Sequence, residues 1–408
     1  MIEQRMFWHK RIHYFLVLLI ACALSSVLIT PVFIVLLCIN WVAEGNFKKK
    51  FSDNKNKSIA FLFCSLLFVY MIGLLHTTNM QAGWFDIQVK CSLFIFPLLL
   101  ASSTFTKKER ETILLSFIIG CFIAVLICLT NAVYRYFVFS ENNFFYESFS
   151  NIIHLHPSYF SMFLNTANAF LLLYSLKNQT VLSKSKKVLI AFIVLFFAII
   201  IALLSSKMGI ITLILLVFLY FIFYIIQHKK IIFGLAGIGI LILLFFTMLK
   251  FVPEIKGRIY GLVSVVSDKN SITNSDSEST GVRILVWGAT KDVIKEHFWT
   301  GAGTGDVKAV LMEKYKQKGL TGAYEHQLNS HNQYLQTFAT LGIFGFLILL
   351  ANFFIPIYIG IKRNKKMYLI FLMIIMLNFL SESMLERQAG VMFYAFFNSF
   401  LFFNFETE

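Results

Sequence analysis

Long apolar stretches follow one another along most of the chain. Val188 to Leu204 and Met208 to Ile226 are almost entirely apolar, and a helix needs about 20 such residues to cross roughly 30 Å of hydrocarbon. Strands of a transmembrane barrel would instead alternate apolar and polar residues over about ten positions. Only helices and closed barrels satisfy their backbone hydrogen bonds within lipid. The pattern therefore predicts an all-α polytopic membrane protein.

The apolar stretches predict about twelve transmembrane helices. The first two are short, and Thr30-Pro31 between them indicates a hairpin, so the count depends on whether both cross the membrane. The predicted spans are 12–29, 31–44, 58–75, 88–105, 112–137, 157–176, 188–204, 208–227, 231–249, 332–360, 367–380 and 389–404.

One long segment interrupts the spans and divides the chain into three parts. Residues 1–249 hold about nine predicted spans, 250–331 form a large loop, and 332–408 hold about three more. Ser264 to Thr280 is polar and is predicted to be a mobile lid. Val282 to Phe298 repeats apolar residues with a helical period, which predicts an amphipathic helix.

The glycines of Gly301-Ala302-Gly303-Thr304-Gly305 follow the predicted amphipathic helix directly. The simpler interpretation is a helix terminator with a tight turn. The alternative is a nest of backbone N–H groups that holds a phosphate.

Composition supports burial in lipid, since 58% of the residues are hydrophobic and only 14% are charged. The net charge of +15 does not predict a nucleic-acid partner, because 21 of the 36 Lys and Arg residues fall in short segments on one side of the predicted spans. This asymmetry predicts a multi-pass membrane protein with both termini in the cytoplasm and the large loop on the outer side. All six cysteines lie in or beside spans in the first third, so neither a disulfide nor a zinc site is predicted.

Polar chemistry is expected on the outer side. No Asp or Glu falls in the middle of a predicted span, which argues against an ion-coupled transporter. His331 lies where the large loop re-enters the membrane, and an imidazole with a pKa near 6.5 suits a general base. The alternative is that His331 and the neighbouring Asn332 only cap the next span.

Two cations are candidates for binding a diphosphate. Arg283 opens the amphipathic segment, and its guanidinium can donate paired hydrogen bonds. Lys207 is the only charge between Val188 and Ile226, at an outward corner. Lipid headgroups are the alternative partner of both side chains.

Further candidates for contacting substrate lie at other outward span ends. His156 and Tyr159 begin one span, but metal binding by His154 and His156 is not favoured, because the spacing suits a strand and no carboxylate lies adjacent in sequence. Glu382, Glu386 and Arg387 share the last outer loop and are expected to pair with one another, while Asp86 is expected to stand alone on another loop. We count His156, Tyr159, Asn332, Glu382 and Arg387 as candidate substrate-binding residues.

Five short segments occur in a fixed order in the second half of the chain. They are Ser205-Ser206-Lys207-Met208-Gly209, Arg283-Ile284-Leu285-Val286-Trp287, His297-Phe298-Trp299-Thr300-Gly301-Ala302-Gly303, Ser330-His331-Asn332-Gln333-Tyr334-Leu335-Gln336 and Leu341-Gly342-Ile343-Phe344-Gly345. Together they resemble the O-antigen ligase and polymerase superfamily of bacterial envelope glycosyltransferases. That family usually carries arginine where this chain has Lys207, and a lysine lacks the bidentate geometry.

The resemblance implies a glycosyltransferase of GT-C-like architecture with one large periplasmic loop. It implies transfer of a glycan from undecaprenyl diphosphate to a hydroxyl acceptor such as lipid A-core, with inversion and without metal or cofactor. His331 would be the general base, and Arg283 with Lys207 would stabilise the departing diphosphate. A polysaccharide polymerase of the same superfamily is the first alternative, and a transporter of lipid-linked oligosaccharide is the second.

Overall fold

The computed structural model describes residues 2–52, 57–229, 231, 232, 239 and 280–405. Within these residues the secondary structure is helical, with no strand, which confirms the all-α class. The helices are α1 (Ile2–Ala23), α2 (Thr30–Glu44), α3 (Phe47–Ser52), α4 (Lys57–Gly73), α5 (Met80–Lys90), α6 (Ser92–Ala101), α7 (Lys107–Phe139), α8 (Tyr146–Ser150), α9 (Pro157–Lys177), α10 (Lys184–Leu203), α11 (Lys207–His228), α12 (Thr280–Glu296), α13 (Val307–Gln317), α14 (Thr321–Glu325), α15 (Gln333–Lys362), α16 (Lys366–Phe379) and α17 (Gln388–Asn404).

Six helical segments among the described residues are long and apolar enough to cross a membrane. They are Lys57–His76, Met80–Ala101, Lys107–Phe139, Lys184–Leu203, Lys207–Gln227 and Gln333–Lys362. Shorter apolar helices occupy Thr30–Glu44 and Lys366–Phe379. A count of about twelve spans stays a prediction, as does the GT-C-like architecture. The predicted span 231–249 and the predicted lid at 264–280 fall almost wholly outside the described residues.

The predicted span 88–105 begins too late. The candidate span Met80–Ala101 starts eight residues earlier and includes Asp86 and Lys90. The sequence pattern placed Asp86 outside the membrane and Lys90 at the outward end of the span, but the two lie one helical turn apart on α5 and form an ion pair. The expectation that Asp86 stands alone on a loop is therefore wrong.

The chain divides into two compact units. The first unit contains residues 1–116 and 264–408, and the second contains residues 117–263. The three-part division at residues 249 and 331 stays a prediction.

Helix α17 forms the centre of the first unit. Every residue from Ala389 to Phe402 is buried, and a helix that is apolar on all sides belongs in the interior of a bundle. It packs along α6, where the rings of Phe96 and Phe396 meet edge to face at 5.3 Å. The helix begins directly after the short turn Met384–Glu386, so its placement fixes that turn.

Helices α12 to α14 share a small core with the first turns of α15. Val286, Ala289 and Val293 of α12 pack with Leu311 and Tyr315 of α13. The spacing of these α12 residues is that of one helix face, so the predicted amphipathic helix is confirmed.

The glycine-rich segment that follows α12 is buried inside a break in α15. Ala302 N donates to Ala339 O at 2.8 Å, and Gly303 N donates to Thr340 O at 3.0 Å. Helix α15 breaks at Gly342, which has φ +66°. A Cβ on Gly301 or Gly342 would lie 2.3 Å from backbone atoms of the other segment. The backbone N–H groups bind protein oxygens, which favours the tight turn over a phosphate nest.

Asp306 ties the start of α13 to the start of α5. Its carboxylate accepts hydrogen bonds from Thr78 N at 2.6 Å, Asn79 N at 2.8 Å and Thr78 Oγ1 at 3.0 Å. Burial raises the pKa of Asp306, but these hydrogen bonds and the nearby His76 outweigh it and hold the pKa below its usual value. Residues 298–306, which connect α12 to α13, therefore contact the start of α5 as well as α15.

Candidate functional site

His331 occupies an unusual backbone position just before α15. Its φ is 44°, in the left-handed region that residues other than glycine rarely adopt. Its N–H donates to Asn329 Oδ1 at 2.9 Å. Asn332 caps α15 by accepting from Leu335 N at 3.0 Å, and its Nδ2 donates to Leu380 O at 3.1 Å. Hydrogen bonds to the side chains of Asn329 and Asn332 thus hold the backbone on both sides of His331 where the chain enters the helix.

Glu382 brings the two predicted catalytic residues together. Its Oε1 accepts from Arg283 Nη2 at 2.6 Å, and its Oε2 lies 3.1 Å from His331 Nδ1. The Glu382 side chain is only 7% exposed, whereas Arg283 and His331 retain 24% and 21% exposure. The carboxylate is therefore buried behind two side chains that solvent still reaches.

The geometry assigns different roles to the two imidazole nitrogens. A carboxylate only accepts hydrogen bonds, so the nitrogen facing Glu382 carries the hydrogen. That tautomer leaves Nε2 as the basic atom, and the carboxylate stabilises the imidazolium once Nε2 takes a proton. A guanidinium has five N–H donors, so one bond to Glu382 leaves others for an anionic ligand. The cluster can thus remove a proton and stabilise negative charge at one site.

The segment that carries Glu382 is attached to the start of α15. Asn332 N donates to Ser383 Oγ at 3.2 Å, and Leu385 N donates to Gln333 Oε1 at 2.6 Å. These bonds use the two residues that follow His331, so the base and its carboxylate partner are held by the same backbone.

The structure corrects the expected pairing of acids and arginine in the last outer loop. Glu382 binds Arg283 and His331, and Glu386 lies 3.3 Å from Lys90 of α5. Arg387 is exposed at the beginning of α17. The turn Met384–Glu386 separates the two glutamates and directs them to different elements, which is why they do not form one local cluster.

The remaining candidates lie in the second unit. Lys207 is the first residue of α11, directly after Ser206, whose Oγ accepts from Gly209 N at 3.2 Å. His156 caps α9 through Ser158 N, and its Nε2 lies 3.2 Å from Glu147 Oε1. The sequence has no carboxylate adjacent to His156, but in the structure Glu147, nine residues upstream, contacts it.

Tyr159 is buried, and its ring centroid lies 6.2 Å from that of His156. Within the described ranges, no three His, Cys, Asp or Glu side chains are grouped closely enough to hold a metal ion.

Sequence reasoning named Glu382 but missed its partners. It lies 51 residues after His331 and 99 after Arg283, and neither separation is a spacing that helix or strand periodicity can detect. Only the fold of the first unit brings the three together.

A comparison with known families supports the resemblance seen in the sequence. Residues 191–350 match a family model described as O-antigen ligase. The matched range includes Lys207, Arg283 and His331 and ends before Glu382. No curated protein matches the chain.

Proposed function

We propose that the chain is a membrane glycosyltransferase, because residues 191–350 match a family model described as O-antigen ligase. The proposed donor is a glycan on undecaprenyl diphosphate, and the proposed acceptor is a hydroxyl of lipid A-core or of another glycan. The reaction takes place at the periplasmic face of the bacterial inner membrane.

The observation that carries the proposal is the contact of Arg283 and His331 with one buried carboxylate. Glycosyl transfer from a lipid diphosphate needs a base for the acceptor hydroxyl and positive charge for the leaving group. Contact of Glu382 with both an imidazole and a guanidinium supports both assignments.

In the proposed reaction the acceptor hydroxyl oxygen attacks the anomeric carbon and its proton passes to His331 Nε2. The bond between the anomeric carbon and the diphosphate oxygen breaks, and its electron pair stays on the diphosphate. Arg283 binds that developing charge, while Glu382 balances the imidazolium. Attack opposite to the leaving group inverts the anomeric centre.

Diphosphate is a good leaving group and Arg283 supplies charge, so we propose that the reaction needs neither an acid nor a metal cofactor. Full transfer in excess chelator is the expected result. Loss of transfer that added Mg²⁺ restores would contradict the metal-independent reaction.

Other candidates have supporting roles in the proposal. Asn332 caps α15 directly after His331, and exposed Arg387 is proposed to contact the glycan or a headgroup. Lys207, His156 and Tyr159 belong to the second unit, and their proposed roles in binding substrate are carried by the sequence alone.

A deletion strain tests the function. A ligase loss leaves lipid A-core bare on a lipopolysaccharide gel while polymer accumulates on undecaprenyl diphosphate. A polymerase loss instead leaves single repeats on the core, and this pattern would replace ligase by the alternative from the same superfamily.

Complementation of that strain tests the residues. His331→Ala and Arg283→Ala should each fail to restore the banding at normal expression. His326→Ala is the matched control, because His326 is exposed five residues before His331 and should restore it. Normal banding with His331→Ala would contradict the general-base assignment.

A further inference from the structure

Lys90, the last residue of α5, is completely buried. Its Nζ binds Asp86 Oδ1 and lies 3.3 Å from Glu386 Oε2. The ring of Tyr70 covers the ammonium, with the centroid 4.5 Å from Nζ. A buried charge is unfavourable unless it is paired, so the carboxylates determine where this ammonium lies.

The two carboxylates differ in what they connect. Asp86 lies four residues before Lys90 on the same helix, so their contact is internal to α5. Glu386 lies 296 residues away in the chain, on the turn just before α17. Of these two ion pairs, only the one with Glu386 joins α5 to a distant part of the chain.

That other element is the segment Ser381–Arg387, which carries Glu382. One side of the segment is attached to the start of α15 through Ser383 and Leu385. The contact between Glu386 and Lys90 attaches it to α5. The segment is therefore held from two directions, and Glu382 directly precedes Ser383, the first of these attachments, and lies four residues before Glu386.

We propose that Lys90 is a positioning residue that acts through Glu386 to hold Glu382 against Arg283 and His331, an inference that rests on the proposed function. The bonds of Glu382 to its two partners are 2.6 and 3.1 Å long. A shift of the segment by about 1 Å lengthens both bonds, and a displacement of that size is enough to slow a positioned reaction strongly. Lys90 itself touches no reacting atom.

Two variants of one ion cluster separate positioning from general stability. Glu386→Gln removes the contact between elements, and Asp86→Asn removes the contact within α5. Each substitution replaces one carboxylate by an amide of similar shape, and each leaves Lys90 with one counter-ion. The cluster has two carboxylates and one ammonium, so each variant retains a neutral pair and is expected to fold.

The expected results for the two variants differ. Glu386→Gln should lower kcat for glycan transfer by about tenfold with the donor KM changed less than about threefold, because positioning affects the transition state more than binding. Asp86→Asn should keep kcat within about twofold of wild type. In a Glu382→Gln background, Glu386→Gln should have little further effect, because the two residues act as one unit.

Hydrogen exchange of the Ser381–Arg387 amides provides a readout that does not depend on activity. Exchange should increase in Glu386→Gln and stay at the wild-type level in Asp86→Asn. Equal changes in kcat and exchange for the two variants, or none in Glu386→Gln, would overturn the positioning role.

Two further results keep the test decisive. If Glu386→Gln gives too little protein, Glu386→Asp retains the charge at a shorter reach and is judged by the same two readouts. If His331→Ala transfers glycan normally, the proposed function fails, and the exchange result still decides whether Lys90 holds the segment.

Discussion

At the residue scale, one carboxylate contacts both the proposed base and the proposed diphosphate-binding cation of the candidate site. Glu382 is buried, and its two oxygens bind different partners. Loss of one partner would leave a buried charge poorly compensated, which is far less favourable than removal of the whole pair. The three side chains are therefore expected to behave as one unit under mutation, with effects that do not add.

Glu382→Gln tests this unit directly. Glutamine keeps the shape but removes the charge that orients and stabilises the imidazolium, so transfer should fall by about 10²-fold or more. The measurement is initial rate with purified protein and lipid-linked donor. Glu325→Gln, at an exposed acid of α14, should leave the rate unchanged. A rate within about twofold of wild type in Glu382→Gln would remove Glu382 from the mechanism.

At the element scale, the break in α15 and the glycine turn form one structural unit. The turn enters the helix at Gly342 and contributes backbone hydrogen bonds on both sides of the break. This contact joins α12, which carries Arg283, to α15, which begins just after His331. The two backbones lie so close together that no side chain fits between them, which explains why Gly301 and Gly342 are glycines.

Gly342→Ala should destabilise the protein by about 2–4 kcal/mol, because its Cβ would meet Trp299 backbone atoms at 2.3 Å in addition to the unfavourable φ. Gly319→Ala is the control, since Gly319 has a similar φ of +64° and nothing within 4 Å of the added Cβ. It should cost only about 1 kcal/mol. Thermal unfolding in detergent measures both, and equal midpoints would contradict the steric explanation.

Asp306 gives the attachment of α13 to α5 a predictable pH dependence. Its folded-state pKa is lowered, so its contribution is present above the ordinary carboxyl pKa of about 3.9 and is lost as the pH falls through the folded value.

Asp306→Asn should therefore lower stability at pH 7 by about 1–2 kcal/mol, since the lost hydrogen bonds are charge-assisted but partly exposed. The difference from wild type should shrink toward pH 3. Thermal unfolding at both pH values measures it, with exposed Glu313→Gln as the control. A difference that is constant with pH would contradict the role of the charge.

At the scale of the whole molecule, the distribution of Lys and Arg predicts the orientation in the membrane. An impermeant maleimide should label Lys316→Cys, on exposed α13, in intact spheroplasts. It should label Ser183→Cys, in the basic connection before α10, only after the membrane is opened. The opposite pattern would invert the proposed orientation.

The sequence predicted what depends on local pattern. The predicted span 332–360 matches α15 at Gln333–Lys362. A long apolar run in lipid can satisfy its backbone hydrogen bonds only by forming a helix or a closed barrel. The start of α5 was missed, since Asp86 and Lys90 look like surface charges until their pairing is seen. Arg283 and His331 were found as single residues of suitable chemistry. Their common partner Glu382 was not predicted, because its position depends on contacts between distant parts of the chain.

The buried helix α17 has a consequence for biosynthesis. Ribosomes deliver helices in chain order, and α17 is the last of the described helices to emerge although α6, α16 and α5 of the first unit pack against it. Glu382 emerges only a few residues earlier. Under the proposed mechanism, a nascent chain that still lacks α17 lacks the core that fixes the partner of Arg283 and His331, and we expect it to be inactive until α17 has been made.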